Sequence, residues 1–132
     1  MSEENVEIVR RMYDRALQDP DALYELLDDN IEWETGGLGF PNPPTERGRE
    51  AVRRFFREWV GAFEEWGFEV EELIEAGDSV VACIHQWGRG KSSGVDVDQR
   101  FWQVWTMRDR KAILATHHLE RTDALEAAGL QE

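Results

Sequence analysis

The sequence predicts an α+β domain in which three N-terminal helices pack on a curved, mostly antiparallel sheet. Apolar residues recur at helical spacing in the first half of the chain. From about residue 68 onward they follow long runs that turn-forming residues interrupt. The chain has 132 residues, of which 41% are hydrophobic, so residues 1–132 are expected to form one domain with its own core.

Helical spacing marks three segments before the sheet. Helices are expected over Asn5–Leu17, from Pro20 to Leu27, and over Gly48–Glu65. The side chain of Asp19 can cap the second helix, and Pro20 at the first helical position loses no hydrogen bond. The glycine- and proline-rich segment Gly36–Pro44 is expected to be a loop, either at the mouth of a pocket or as a plain connector.

The strands are predicted from alternation and from turn residues. They are expected at Ile31–Glu34, Phe68–Glu75, Ser79–Trp87, Val95–Met107 and Lys111–Glu120, before a short helix near Asp123–Ala128. Large apolar residues occupy both parities of the fourth strand, for example Trp105 and Val104. Helices and a pocket are therefore expected on one face of the sheet and a second copy of the chain, forming a homodimer, on the other.

Charge and composition restrict the partners. The formal net charge of −13 disfavours nucleic acid and anionic membranes, and no apolar run reaches 18 residues. The N-terminus lacks the features of a signal peptide, so a cytoplasmic location is expected. The single cysteine, Cys83, cannot form an internal disulfide. No spacing of histidines predicts a metal site, and no phosphate-binding or dinucleotide motif predicts a cofactor.

Aromatic residues are numerous, with six Trp and six Phe. Such side chains often line pockets for flat apolar molecules. The predicted ligand-binding residues are Trp33, Phe40, Trp59, His85, Phe101 and Trp105. The alternative for each aromatic residue is ordinary core packing, and the sequence does not decide which face of its strand His85 occupies.

Several segments together resemble the SnoaL-like domain family of the NTF2-like superfamily, which includes ketosteroid isomerases and polyketide cyclases. These segments are Val9-Arg10-Arg11-Met12-Tyr13, Leu26–Trp33, Arg47–Val52, Ala76–Val81 and Val104–Asp109. The resemblance implies an NTF2-like cone with an apolar pocket. The chain departs from the family pattern at Asp109-Arg110-Lys111, where Arg110 replaces a turn glycine.

The candidate catalytic residues are His117, Gln103 and Tyr13. Strand parity and the short turn between the last two strands can bring His117 near Gln103. The resemblance places His117 at the position of an acid/base carboxylate, and Tyr13 at that of a tyrosine that donates a hydrogen bond to a substrate carbonyl. It also places Trp33 where ketosteroid isomerases carry their base, which disfavours classical steroid isomerisation. Both His117 and Tyr13 could instead be core residues.

Two functions follow from the resemblance. The protein could catalyse cofactor-independent proton transfer of the isomerase or cyclase type on a hydrophobic carbonyl or polycyclic substrate, or it could only bind a small apolar molecule. A dimerisation domain whose cone is filled by its own side chains is a third alternative. The sequence leaves open whether the chain is an enzyme.

Overall fold

A computed structural model describes residues 2–19, 21–38 and 45–130. The helices are α1 (Ser2–Ala16), α2 (Ala22–Leu26), α3 (Arg49–Gly61) and α4 (Arg121–Ala127). The strands are β1 (Leu27–Gly37), β2 (Thr45–Arg47), β3 (Phe63–Ala76), β4 (Ser79–Gly90), β5 (Asp96–Arg108) and β6 (Lys111–His118). None of these helices has the length and apolar content needed to cross a bilayer.

The six strands form one sheet in the order β2-β1-β6-β5-β4-β3. Every neighbouring pair is antiparallel except β1 and β6, which run parallel. A parallel pair needs a long connection, and here the whole chain between the first and last strands supplies it. The predicted α+β class with a curved, mostly antiparallel sheet is confirmed.

The first strand is longer than predicted. It begins at Leu27, which the sequence assigns to a helix, and it continues through Gly37. Pairing with the distant strand β6 draws these residues into the sheet, and local periodicity does not reveal such a pairing. The rest of the predicted loop, residues 39–44, lies outside the described residues.

The third helix is shorter than predicted, because the chain enters the sheet early. It ends at Gly61, and β3 starts at Phe63 in place of Phe68. The early part of β3 is irregular, since its register with β4 shifts between Glu64 and Gly67 and Glu65 has a positive φ of 54°. This bulge hides the period-two pattern of the strand from the sequence.

Helices α1 and α3 cover one face of the sheet, here called the inner face, and side chains such as Val9, Ile31, Val52 and Trp105 are buried there. The opposite face, here called the outer face, is partly covered by α4. Ala124 and Leu125 of α4 pack with Val81 and Val104. The sequence predicts that a second subunit covers the outer face, but α4 of the same chain covers part of it.

Candidate functional site

A cavity lies between helices α1 and α3 and the inner face of the sheet. Its empty volume is about 830 Å³, including its opening to solvent. Aromatic and aliphatic side chains form most of the lining, and polar groups come from Tyr13, Thr35, His117 and the glutamines at positions 86, 99 and 103. None of the described lining residues is an aspartate, glutamate, lysine or arginine. The described wall of the cavity is thus apolar with a few neutral polar groups.

Strand pairing places the polar residues of β5 and β6 side by side. Gln103 lies directly opposite His117, and Trp105 lies opposite Ala115. Residues directly opposite each other in an antiparallel pair share a face, so these side chains reach the cavity together. Trp33 of β1 pairs with Ala115 on the parallel side and joins the same wall.

A chain of hydrogen bonds connects these groups. Trp105 Nε1 donates to the Tyr13 hydroxyl over 2.7 Å, and that hydroxyl donates to Oε1 of Gln103 over 2.5 Å. The Gln103 amide nitrogen lies 2.9 Å from Nε2 of His117, and His117 Nδ1 lies 2.8 Å from the carbonyl oxygen of Glu34. The four side chains are buried, so the chain of bonds fixes their orientation.

The bonds also determine where the protons lie. A carbonyl oxygen can only accept, so Nδ1 of His117 carries the hydrogen and Nε2 accepts from the Gln103 amide. Burial lowers the pKa of His117 to about 4, which keeps the imidazole neutral near pH 7. Burial also raises the pKa of the Tyr13 phenol well above its usual range, so Tyr13 stays protonated. The network is neutral as a whole.

Gln86 organises a second part of the wall. Its Oε1 accepts from Trp59 Nε1 at 3.1 Å and from Trp66 Nε1 at 3.2 Å. These bonds hold two indoles at the cavity, one from α3 and one from β3. Gln86 and Trp66 are site residues that the sequence analysis misses. The alternation with Ile84 could have indicated Gln86, but only once the inner face of β4 was known.

Most of the predicted site residues meet at the cavity. The lining includes Tyr13, Trp33, Trp59, Phe101, Gln103, Trp105 and His117. Phe40 lies outside the described residues. The expectation for His85 is not met, because Ile84 and Gln86 of β4 face the cavity and His85, between them, points to the outer face.

His85 instead belongs to a charged cluster on the outer face. Ligand-type atoms of Glu69, Glu71 and His85 lie within 4.8 Å of one another. Two contacts already engage this cluster, since Glu71 forms an ion pair with Arg100 at 2.7 Å and His85 Nε2 lies 2.9 Å from an oxygen of Asp98. Neighbouring side chains thus already contact the ligand-type atoms of Glu71 and His85.

Solved structures with this fold are numerous. A protein with a ketosteroid isomerase-like fold from Catenulispora acidiphila, in complex with trimethylamine, has a TM-score of 0.72 and 18% identity, covering 94% of this chain and 93% of its own. TerC, co-crystallised with polyporic acid, has a TM-score of 0.71 and 21% identity, with coverage of 95% and 98%. A Jannaschia protein with a proposed assignment as a SnoaL-like polyketide cyclase has a TM-score of 0.76 and 20% identity, with coverage of 99% and 95%.

Because all three sequence identities are low, these similarities show the fold alone. No curated protein matches the sequence significantly. The profile of the SnoaL-like domain, however, matches residues 9–115, which include most of the cavity wall and the strand pair β5 and β6 up to Ala115. The chain therefore belongs to the SnoaL-like domain family.

Proposed function

We propose that this domain binds a small, largely apolar organic molecule in the cavity. The observation that carries the proposal is the cavity wall, in which aromatic side chains surround a pre-ordered, neutral hydrogen-bond network. Ligand pockets typically combine such apolar walls with a few placed polar groups. Two similar structures, with polyporic acid and with trimethylamine, contain small organic molecules and give fold-level support.

Filling the cavity tests this proposal. Ala16 is buried and borders the cavity, so Ala16→Leu adds three carbon atoms to the space a ligand would occupy. Ligand-observed NMR titrations with indane and 1-indanone should show saturable binding to the wild-type protein and at least about tenfold weaker binding to the variant. Ala127→Leu, at an exposed position of α4, is the matched control and should bind as wild type does. Absence of saturable binding of both probes would refute the proposal.

A second candidate function is proton transfer by His117. The observation that favours it is a neutral imidazole in the wall of the cavity whose Nε2 lone pair, among the described residues, is held by the Gln103 amide alone. If that amide turns away, Nε2 can take a proton from the carbon beside a ketone and return it two carbons further along, shifting a double bond into conjugation. An imidazole that stays unprotonated down to about pH 4 is available as a base at neutral pH.

The isomerisation of 3-cyclohexen-1-one to its conjugated isomer, followed by ultraviolet absorbance, tests this second candidate. Loss of a general base should lower the rate by roughly 100-fold or more in His117→Ala. His118→Ala is the control, because His118 pairs with Trp102 and lies on the outer face. Equal rates in the two variants would exclude His117 as the base and leave the binding function as the better account.

The homodimer remains part of the proposal. Its support is that α4 covers only a portion of the outer face, where Trp102 and Ile74 stay partly exposed. Apolar surface of this kind is often covered by a partner. Analytical ultracentrifugation should give twice the mass of one chain, and a monomer at about 100 µM would contradict the dimer.

A further inference from the structure

A second depression, here called the basic pocket, lies where α1 and α2 meet the turn between β5 and β6. Its empty volume is about 700 Å³, including its opening to solvent. Among the described lining residues, it shares Met12 alone with the apolar cavity, so it is a separate candidate site. The basic pocket is lined by the apolar residues Ile8, Met12, Ala22 and Leu26 and by the charged residues Arg11, Arg15, Glu25, Arg110 and Lys111.

Positive charge is concentrated at this pocket although the chain as a whole is acidic. The chain has 15 lysines and arginines and a net charge of −13. Four of those 15 cations line the basic pocket, where Glu25 is the one carboxylate among the described lining residues. The net charge of the protein repels anions, so an anion that binds here must be held by local contacts.

The ion pairs that these cations already make are exposed and weak. Every side chain in the three pairs is at least 44% exposed, and a ligand oxyanion can replace an exposed carboxylate at little cost. Lys111 forms no ion pair within the described part of the chain. Its Nζ donates to the backbone carbonyl of Glu25 over 2.6 Å and keeps two further hydrogens. The three pairs are Arg11 with Glu7, Arg15 with Glu25, and Arg110 with Glu4.

Arg110 has a backbone conformation that glycine would adopt more easily. Its φ is 67°, in the left-handed region. Non-glycine residues held in this region cluster at ligand-binding and other functional sites. Here the strained residue carries one of the four cations of the basic pocket, which supports a role for its guanidinium in binding.

The floor of the basic pocket is apolar. Met12, Ala22 and Leu26 border the pocket, belong to the core and are each at most 5% exposed. Arginine guanidinium groups bind carboxylates and phosphates through paired N–H bonds. Cationic groups above an apolar floor therefore fit a ligand that combines an oxyanion with an apolar body.

We propose that the basic pocket binds an organic oxyanion, such as a phosphate monoester. Its anionic group lies at Arg15, Arg110 and Lys111, and its apolar body lies on Met12 and Leu26. This inference goes beyond the proposed function and does not depend on it, because the apolar cavity is a different site.

Phenyl phosphate and phenol are matched probes for this site. They share one ring and differ in the phosphoryl group, which carries nearly two negative charges above about pH 7. Each is titrated into the full chain labelled with ¹⁵N. Phenyl phosphate should bind saturably and shift the backbone amides of residues 8–15, 22–26 and 109–111, whereas phenol should not shift them. Raising the ionic strength from about 0.01 M to about 0.15 M should weaken the binding several-fold.

Two matched pairs of variants separate the pocket from a general effect of charge. Arg15 and Arg89 are 55% and 57% exposed, and each is paired with one carboxylate. Arg15→Gln should weaken phenyl phosphate binding about threefold or more, whereas Arg89→Gln should not. Glu25→Gln removes the competing carboxylate and should tighten binding about threefold, whereas Asp96→Asn, which frees Arg89 in the same way, should not. A gain of affinity in Glu25→Gln cannot arise from damage to the fold.

Absence of saturable phenyl phosphate binding, or equal effects of Arg15→Gln and Arg89→Gln, would overturn the proposal. Binding that is weakened by Ala16→Leu and not by Arg15→Gln would also overturn it, because the probe would then occupy the apolar cavity. Inorganic phosphate binding as tightly as phenyl phosphate would overturn the organic class of the ligand. None of these outcomes bears on the proposed function, which the titrations with indane and 1-indanone test separately.

Discussion

The amide nitrogen of Gln103 lies 2.9 Å from Nε2 of His117, so the imidazole is engaged on both sides, with Glu34 accepting from Nδ1. This arrangement stabilises a single tautomer of a neutral histidine inside the protein. It also means that proton transfer by His117 would require Gln103 to move, whereas ligand binding requires no change in the network. The same contact gives the folded protein a dependence on pH.

Stability should fall as the pH drops from 7 to 5. The pKa of His117 is lowered to about 4 by burial, against an ordinary value of 6.5, so in this window the unfolded chain binds a proton that the folded chain does not. The loss attributable to His117 is about 2 kcal/mol between pH 7 and pH 5 and reaches its full size only below pH 4.

Urea unfolding at the two pH values measures this loss. His117→Gln should be less stable than the wild type at pH 7 but should show a smaller decrease towards pH 5. His118→Gln should retain most of the wild-type decrease, because burial lowers the pKa of the half-buried His118 to a lesser extent. The same decrease in His117→Gln as in the wild type would contradict a neutral, buried His117.

Tyr13→Phe should destabilise the protein by about 2–3 kcal/mol. The change leaves Trp105 Nε1 and Oε1 of Gln103 buried without their shared partner. Tyr24→Phe removes an exposed hydroxyl that donates to Glu50, and it should cost less than about 0.5 kcal/mol. Chemical denaturation compares the two variants, and equal costs would show that the buried network contributes little.

Arg110→Gly should raise stability by up to about 1 kcal/mol. Asp109 and Arg110 connect β5 to β6 with positive φ values of 51° and 67°, a conformation that glycine adopts without a steric penalty. Arg110 also forms an exposed ion pair with Glu4, which contributes little. Arg110→Ala removes the same ion pair but keeps the strain, so the glycine variant should have the higher urea midpoint. A midpoint no higher than that of Arg110→Ala would contradict this account.

Gly37→Ala should disrupt the C-terminal end of β1, where the strand lies beside His117. A Cβ at this position would lie 2.1 Å from the backbone oxygen of His117, which is far inside van der Waals contact. We expect a loss of roughly 2 kcal/mol or more, and broadened NMR signals for His117. Gly61→Ala is the control, since a Cβ there meets no atom within 4 Å. A Gly37→Ala protein as stable as the control would show that the contact between these strands is easily relaxed.

Much of the site could be predicted where strand parity alone decides it. Phe101, Gln103 and Trp105 alternate along β5, and a short turn makes β6 its antiparallel neighbour, so local sequence places His117 near Gln103. Their direct pairing depends on a register shift between Thr106 and Met107, since the register of the turn alone would pair Gln103 with Thr116. Strand parity alone could not predict which face of β4 lines the cavity. Both parities of that strand carry apolar residues, and only the packing of α1 on one face separates Gln86, at the cavity, from His85.

The sequence by itself determined the α+β class, the principal strands and the family, because these depend on short-range periodicity and on ordered local segments. Only the tertiary structure decided that Leu27 begins a strand, that β1 pairs in parallel with β6 and that the buried Trp33 N–H has no partner among the described residues. The physical reason is that each of these depends on atoms far apart in the chain. The free energies of strand pairing and of burying a polar group depend on residues that meet only in the folded protein. Local propensity therefore does not predict them.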